Sequence, residues 1–261
     1  MKKVIVPIVL MIVALTTLSF TAGKGVTLRL KPNKDKTYVI EAKSNQTTMM
    51  KIQSQTMRMT QALDTRQSFI TKEISDNKVV VETKLEAVKM NMSQMGMNLT
   101  YDSENPQNNS PMIANEAKEI DKLINQPTLI SYDELGHNEN PADLDMNQLS
   151  SVIIELPEEE LNVGSTWTCI KTQEVSDFSF NVNMTYTVTG ISKKNVEVSF
   201  NGTVDSQEIT GSYEGTASIS PATGIVMSAS LKNNISLTIS EQGMTLPTTI
   251  TGTTSITVVE K

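Results

Sequence analysis

Between Phe178 and Val188 apolar and polar residues alternate without a break. Phe178, Phe180, Val182, Met184, Tyr186 and Val188 stand against Ser179, Asn181, Asn183, Thr185 and Thr187. A period of two puts the first set on one face of an extended strand and the second on the other, so this segment can bury one side only. The same alternation returns at Val196, Val198 and Phe200, at Ile209 to Ile219, at Ile225 to Leu231 and at Ile250 to Val258. Lys193-Lys194-Asn195, Pro221-Ala222-Thr223-Gly224 and Glu241-Gln242-Gly243 supply turn chemistry between the runs. Residues 163–261 therefore read as an antiparallel meander.

Residues 24–110 form a first, less regular meander. Val79, Val81, Thr83, Leu85 and Ala87 keep one phase, Val88, Met90 and Met92 the opposite one, and Met95, Met97, Leu99 and Tyr101 shift it again. A one-residue slip turns every side chain to the other face, so the pattern predicts a β-bulge near Ala87 and a turn or second bulge near Ser93-Gln94. Further strands are expected at Val26 to Leu30, Thr37 to Ser44, Met49 to Met59 and Gln67 to Ile74. Between the meanders, in 111–162, the period becomes helical. Ser110-Pro111 has the order of a helix start, Ile113, Ala117, Ile120 and Ile124 share one stripe, and Pro127 stops it. A weaker second helix is expected from Ala142 to about Ile153.

The two halves echo one another. Lys34-Asp35-Lys36-Thr37-Tyr38 answers Asn162-Val163-Gly164-Ser165-Thr166-Trp167, each an aromatic after a Thr at a strand entry, and Ile74 to Val81 answers Ile191 to Val198. As a repeat, this implies two pseudo-equivalent β-meanders in one sheet.

The N-terminus is written as an export signal. Lys2 and Lys3 precede the uncharged apolar run Val4 to Leu15, too short for the roughly 20 residues that span a bilayer. Small residues at both critical positions occur with Thr21 and Gly23, for cleavage before Lys24, the favoured site, or with Thr17 and Ser19, for cleavage before Phe20, and no Cys precedes Cys169 to carry a lipid. The expected product, residues 24–261, is a single β-rich domain in the periplasm or outside the cell, not lipid-anchored and without a transmembrane anchor. Against 29 acidic residues, the 20 basic ones left after Lys2 and Lys3 disfavour nucleic acid as a partner.

Residues suited to chemistry are sparse. His137 is the single histidine and stands in a turn-like Leu135-Gly136-His137-Asn138, while Cys169, the single thiol, alternates with Trp167 as a buried strand residue would. One His and one Cys serve zinc poorly. Asp143-Leu144-Asp145-Met146-Asn147 opens with the spacing of a calcium loop, but Gln148 stands where the Gly belongs and Ile154 where the bidentate Glu belongs. Glu158-Glu159-Glu160 reads as a solvated acidic turn. No catalytic residue, cofactor or metal site is expected.

One excess remains: Met49, Met50, Met57, Met59, Met90, Met92, Met95 and Met97 crowd the first meander. Methionine is flexible and polarizable, so it either fills gaps in a core poor in aromatics or lines an apolar cleft. The second reading makes Met57, Met59, Met90, Met92, Phe178, Phe180, Met184 and Tyr186 the lining of a ligand site.

Tyr101-Asp102-Ser103, Leu156-Pro157 followed by Val163-Gly164-Ser165-Thr166-Trp167, and Ile219-Ser220-Pro221-Ala222-Thr223-Gly224 together resemble an uncharacterised family of exported bacterial proteins, the family of unknown function numbered 6263. The resemblance implies a mainly β protein with minor α: a strongly curved antiparallel sheet packed on one or two central helices. Such a sheet is similar to the half-barrel of the periplasmic lipoprotein carrier and of mycobacterial lipid-binding lipoproteins. The function expected is that of an exported, non-enzymatic binding protein holding an apolar or lipid-like ligand in a Met-lined cleft. The alternative is a structural or interaction protein of the envelope with a solid core, whose partner is another envelope protein.

Overall fold

The structure, a computed structural model, describes residues 25–261 except Asp35, 53–54, Asp76, 140–150, 176–177, 207–208 and 242–243. The expected signal at 1–23 and most of the expected second helix lie outside the described residues. What is described of that helix, 151–153, is a turn rather than a regular helix.

Eleven strands form one antiparallel sheet. The first meander contributes β1 (Thr37–Ile52), β2 (Gln55–Ser75), β3 (Lys78–Gln94), β4 (Met97–Asp102) and β5 (Thr128–Tyr132). The second contributes β6 (Thr166–Val175), β7 (Phe178–Ile191), β8 (Val196–Asp205), β9 (Ile209–Ile219), β10 (Val226–Glu241) and β11 (Met244–Glu260). The spatial order is β4-β3-β2-β1-β11-β10-β9-β8-β7-β6, with β5 following β4 along the same side of β3. The first strand thus pairs with the last, Tyr38 opposite Glu260 and Met50 opposite Thr248, and this seam makes two meanders one sheet. The described strands include no pairing that joins β6 to β4 or β5, so the sheet is not closed into a barrel.

Residues directly opposite in an antiparallel pair share a face, and the registers carry one apolar face across all eleven strands. From Tyr38 on β1 it runs through Phe69, Val81 and Ile130 on one side, and through Val258, Ala217, Val198, Tyr186 and Trp167 on the other. We call this face inner. The bulge expected near Ala87 is present: the β2–β3 register shifts between Arg66 and Gln67, where Ala87 and Leu85 leave Glu86 as the extra residue. Its effect is to return Val88, Met90 and Met92 to the face already occupied by Val81 and Thr83.

Three expectations need correction. The segment Met49 to Met59 is not one strand but the end of β1 and the start of β2, which pair antiparallel up to Ile52 opposite Gln55. Gln53-Ser54 contains none of the residues that favour left-handed backbone, so the reversal left no mark in the sequence. The turn expected at Ser93-Gln94 sits at Met95-Gly96, with φ of 50° and 82°. Finally, Val26 to Leu30 is extended chain outside the sheet, with an isolated β-bridge from Val26 to Leu161.

That extended chain is part of a strap. Segments 25–34 and 151–161 lie over one end of the inner face and bury Leu28, Leu30, Val152, Ile153, Ile154, Leu156 and Leu161 in the main core. Backbone bonds stitch the strap down: Leu30 N–H donates to Glu134 O at 2.7 Å, Lys31 N–H to Thr223 O at 2.9 Å, and Val226 N–H to Val152 O at 2.9 Å. Gly224, at φ 70°, lies so close to the Arg29 carbonyl that a Cβ would collide with it, which explains the glycine that ends Pro221 to Gly224. The other cover is the predicted helix, a 3-10 turn at Pro111–Ile113 running into α1 (Ala114–Leu123). Ile113, Ala117 and Ile120 pack on Val88, Tyr101, Leu63 and Met90 as a second, smaller core, and the Tyr101 hydroxyl donates to Asp121 Oδ1 at 2.6 Å.

Candidate functional site

The two covers leave the middle of the inner face half-buried. On β8 to β10, Phe200, Tyr213, Met227 and Ala229 pack against the main core without being enclosed by it, and Leu231 is half-buried beside them. On β2 to β4, Leu63, Met90 and Leu99 flank the second core in the same way. A belt of partly exposed apolar side chains therefore lies on the inner face between strap and helix, in two stretches separated at the seam by Ser44 and Thr254, where the Thr254 hydroxyl donates to Ser44 Oγ at 3.1 Å.

Relief along this belt is set by glycines opposite large side chains. A Cβ at Gly215 would meet the Phe200 ring and Ser230 O, and one at Gly202 would meet Met184 Sδ and Val182. The bulky neighbour fills the space over each glycine, which lets the sheet curve without a void.

The residues expected to line a cleft occupy this face in two groups. Phe180, Met184 and Tyr186 on β7 are buried in the main core. Met57, Met59, Met90 and Met92 are half-buried on β2 and β3, and Met90 joins the second core. Between β2 and β7 in the sheet stand β1, β11, β10, β9 and β8. Phe178 begins β7, and its side chain is outside what is described. Phe200, Tyr213 and Leu231 were missed, although the alternation that placed the β7 residues on one face also runs through Phe200 and Tyr213. Only the pairing of β8 to β10 brings them to the centre.

Cys169 is buried beside Trp167 on β6, and burial pushes its thiol and the Tyr186 phenol upward from their ordinary values. His137 Nδ1 lies 2.6 Å from Asp133 Oδ2 within the turn where the sequence put it. Glu158, Glu159 and Glu160 are exposed. Among the described residues no three His, Cys, Asp or Glu side chains gather where they could hold a metal ion, and no helix is long and apolar enough to cross a membrane.

The outer face is different. Two open hollows of about 540 and 550 Å³ lie side by side along the β1–β11 seam. The second is lined by Asn45, Thr47, Thr60, Asn91, Ser93, Thr251 and Thr253, so it is hydroxyl- and amide-bearing.

No curated protein matches the chain. Among solved structures it is similar to lipovitellin, in a structure concerned with lipid–protein interactions, with a TM-score of 0.52 and 10% identity over 87% of this chain. The chain spans 25% of that lipovitellin chain, and the likeness is one of fold. An outer membrane channel from Pseudomonas putida F1 aligns over 91% of this chain and 98% of its own at 9% identity, but its TM-score of 0.28 carries no argument. Within the sequence itself, the strap motif Leu156 to Trp167 and the turn Ile219 to Gly224 fall inside a family match, while Tyr101-Asp102-Ser103 falls outside it. Residues 145–259, a little under half of the chain, match the family described as "Family of unknown function (DUF6263)".

Proposed function

We propose that this is an exported, non-enzymatic binding protein that holds an apolar, lipid-like ligand along the inner face of its open sheet. The observation that carries the reading is the half-buried belt of Leu63, Met90, Phe200, Tyr213 and Leu231, bounded by the strap and by α1. Apolar side chains left partly exposed on one face, in two stretches bridged by the Ser44–Thr254 hydroxyl pair, are costly to leave in water and mark a ligand or partner site in an otherwise acidic chain. The sheet's likeness to lipovitellin, studied for its lipid–protein interactions, supports the same class of ligand. Export follows from Lys2, Lys3 and the short apolar run behind them.

The test is native mass spectrometry and organic extraction of protein purified from its producing cells, with uptake of a fluorescent fatty acid as the solution assay. Leu231→Gln and Phe200→Ser put polar groups into the belt and should weaken uptake about tenfold or more, if each removes roughly 1.5–3 kcal/mol of apolar burial. Protein that carries no lipid and takes up no apolar probe would overturn the proposal. The second reading, an envelope interaction protein, is favoured by the neutral polar hollow over β3, β2, β1 and β11. Thr47→Lys with Thr251→Lys would then abolish capture of its partner and leave fatty-acid uptake unchanged.

A further inference from the structure

The eight methionines of the first meander are spread over 49 residues of sequence but gathered at one end of the sheet. Met50 pairs directly with Met57 across the β1–β2 hairpin, and Thr48 with Met59. Met59 in turn stands opposite Gln94, Gln94 opposite Met97, and Met92 opposite Gln61. Directly opposed residues share a face, so Met50, Met57, Met59, Met92 and Met97 all stand on the inner face, beyond the helix α1. Met50, Met57, Met59 and Met92 are half-buried and Met97 is 47% exposed. Neighbouring Cβ atoms in such a lattice are about 4.5–5.5 Å apart across strands and 7–8 Å on the diagonal, within reach of side chains as long and flexible as methionine.

We propose that Met50, Met57 and Met59 form a thioether site for a soft monovalent cation, Cu(I) in biological terms. Met50 and Met57 are a direct cross-strand pair, and Met59 is diagonal to the first and two residues from the second, so three sulfurs can turn toward one point above the sheet. Two observations show sulfurs of this patch acting as electron-pair donors. Gln94 Nε2 donates to Met57 Sδ at 3.4 Å, and Gln61 Nε2 donates to Met90 Sδ at 3.3 Å. A thioether has a second lone pair that such a bond leaves free. Neighbours on this face are Thr48, Gln61, Gln94 and Leu99, none of them charged. A site without carboxylates is unsuited to hard divalent ions, whereas thioethers select Cu(I). The chain has one Cys and one His in all, both placed elsewhere, so the methionines are its concentrated soft donors.

The experiment uses full-length protein with Cys169→Ala, which removes the competing thiol, and methionines labelled with 13C at the ε-methyl. Ag(I) serves as the redox-inert probe, and Cu(I) is added under anaerobic, reducing conditions. One ion should bind per chain and shift the methyl signals of Met50, Met57 and Met59. Met112, 68% exposed and outside the patch, is the control for indiscriminate thioether binding, and Met184 for the buried core. Met57→Leu with Met59→Leu keeps apolar volume but removes two sulfurs. It should lower Ag(I) and Cu(I) affinity at least about 10–100-fold, the loss typical even of residues that only support a ligand, while the methyl signals of Met112 and Met184 keep their parent positions and so report an intact fold. Equal shifts at Met112, or unchanged affinity in the double variant, would overturn the site. Metal affinity is read with Ag(I) in lipid-free protein and the lipid reading by fatty-acid uptake of the parent, so the two failures are distinguishable.

Discussion

The two meanders begin alike and end differently. In each, the aromatic that follows a Thr at the first strand stacks on the residue opposite it in the second. Tyr38 lies on Phe69 with ring centroids 4.8 Å apart and planes 10° from parallel, and Trp167 lies on Tyr186 at 4.9 Å and 12°. Each ring is also tied at its polar tip. Asn33 N–H donates to the Tyr38 hydroxyl at 3.0 Å, and Trp167 Nε1 donates to Glu155 O at 3.0 Å. The faint echo in the sequence is thus a repeated packing device. Beyond it the halves diverge. In the second meander the buried inner face extends along the strands, to Val204, Ile209, Ile235 and Leu237. In the first, the main core stops after Ala42, Phe69 and Val81, and the distal strand ends carry methionine, glutamine and threonine. The distal end of the second meander is thus packed as core, whereas that of the first leaves its methionines half-buried.

The largest effects should come from what the halves share. Trp167→Ala and Tyr38→Ala should each cost about 3–5 kcal/mol, since each empties a buried ring's volume and strands its stacking partner. Denaturant midpoints at constant slope would measure both. A loss below about 1 kcal/mol for one ring but not the other would break the equivalence of the meanders.

The next effect should separate them. Met184→Ala, at a side chain only 6% exposed in the main core, should cost about 2–5 kcal/mol, whereas Met92→Ala, half-buried at the distal end of β3, should cost about 1 kcal/mol or less. Similar losses at the two positions would show that the thioether end of the first meander is core after all.

Much of this division was legible before any coordinates. Strict alternation at 178–188 and 209–219 gave strands, faces and turns, because a half-buried antiparallel strand can be written in few other ways. The bulge was visible as a change of phase at Ala87, and the helix as a stripe after Ser110-Pro111. The β1–β2 hairpin was not, since Gln53-Ser54 offers no Gly, Pro, Asn or Asp. That omission hid the site as well. Met50 and Met57 read as positions on one strand until the hairpin sets them side by side, so the methionine excess was legible and its geometry was not. Seam pairing between β1 and β11 joins residues as far apart as Tyr38 and Glu260, which no local pattern encodes.

A smaller contrast lies in the glycines. Gly215→Ala must push a Cβ into the Phe200 ring and the Ser230 carbonyl, a clash expected to cost about 1–3 kcal/mol. At Gly96, φ is 82° and a Cβ would meet nothing within 4 Å, so Gly96→Ala bears only the left-handed backbone cost of about 1 kcal/mol. Reversal of that order in thermal unfolding would mean that the inner face of the second meander is looser than its packing implies.

The smallest effect is an acid response confined to the first meander. Asp102, at the end of β4, is buried, which alone would raise its pKa. That is outweighed by hydrogen bonds from the Asn105 side chain and from the Glu104 and Asn105 backbone N–H groups, with Lys89 Nζ 3.5 Å away, so the carboxyl is held below its usual value. A folded-state pKa below the unfolded one means that the unfolded chain binds the proton first. The stabilisation is therefore fully present above the ordinary carboxylate pKa of about 3.9 and is lost as pH falls through the lower folded value. Hydrogen exchange at the β3–β4 ladder should accelerate, relative to the β8–β9 ladder, as pH is lowered below about 4, once the intrinsic pH dependence of exchange is divided out. Asp102→Asn should remove that difference, because it cannot ionise. Equal acid sensitivity of the two ladders in the wild type would assign the response to the whole sheet and not to this turn.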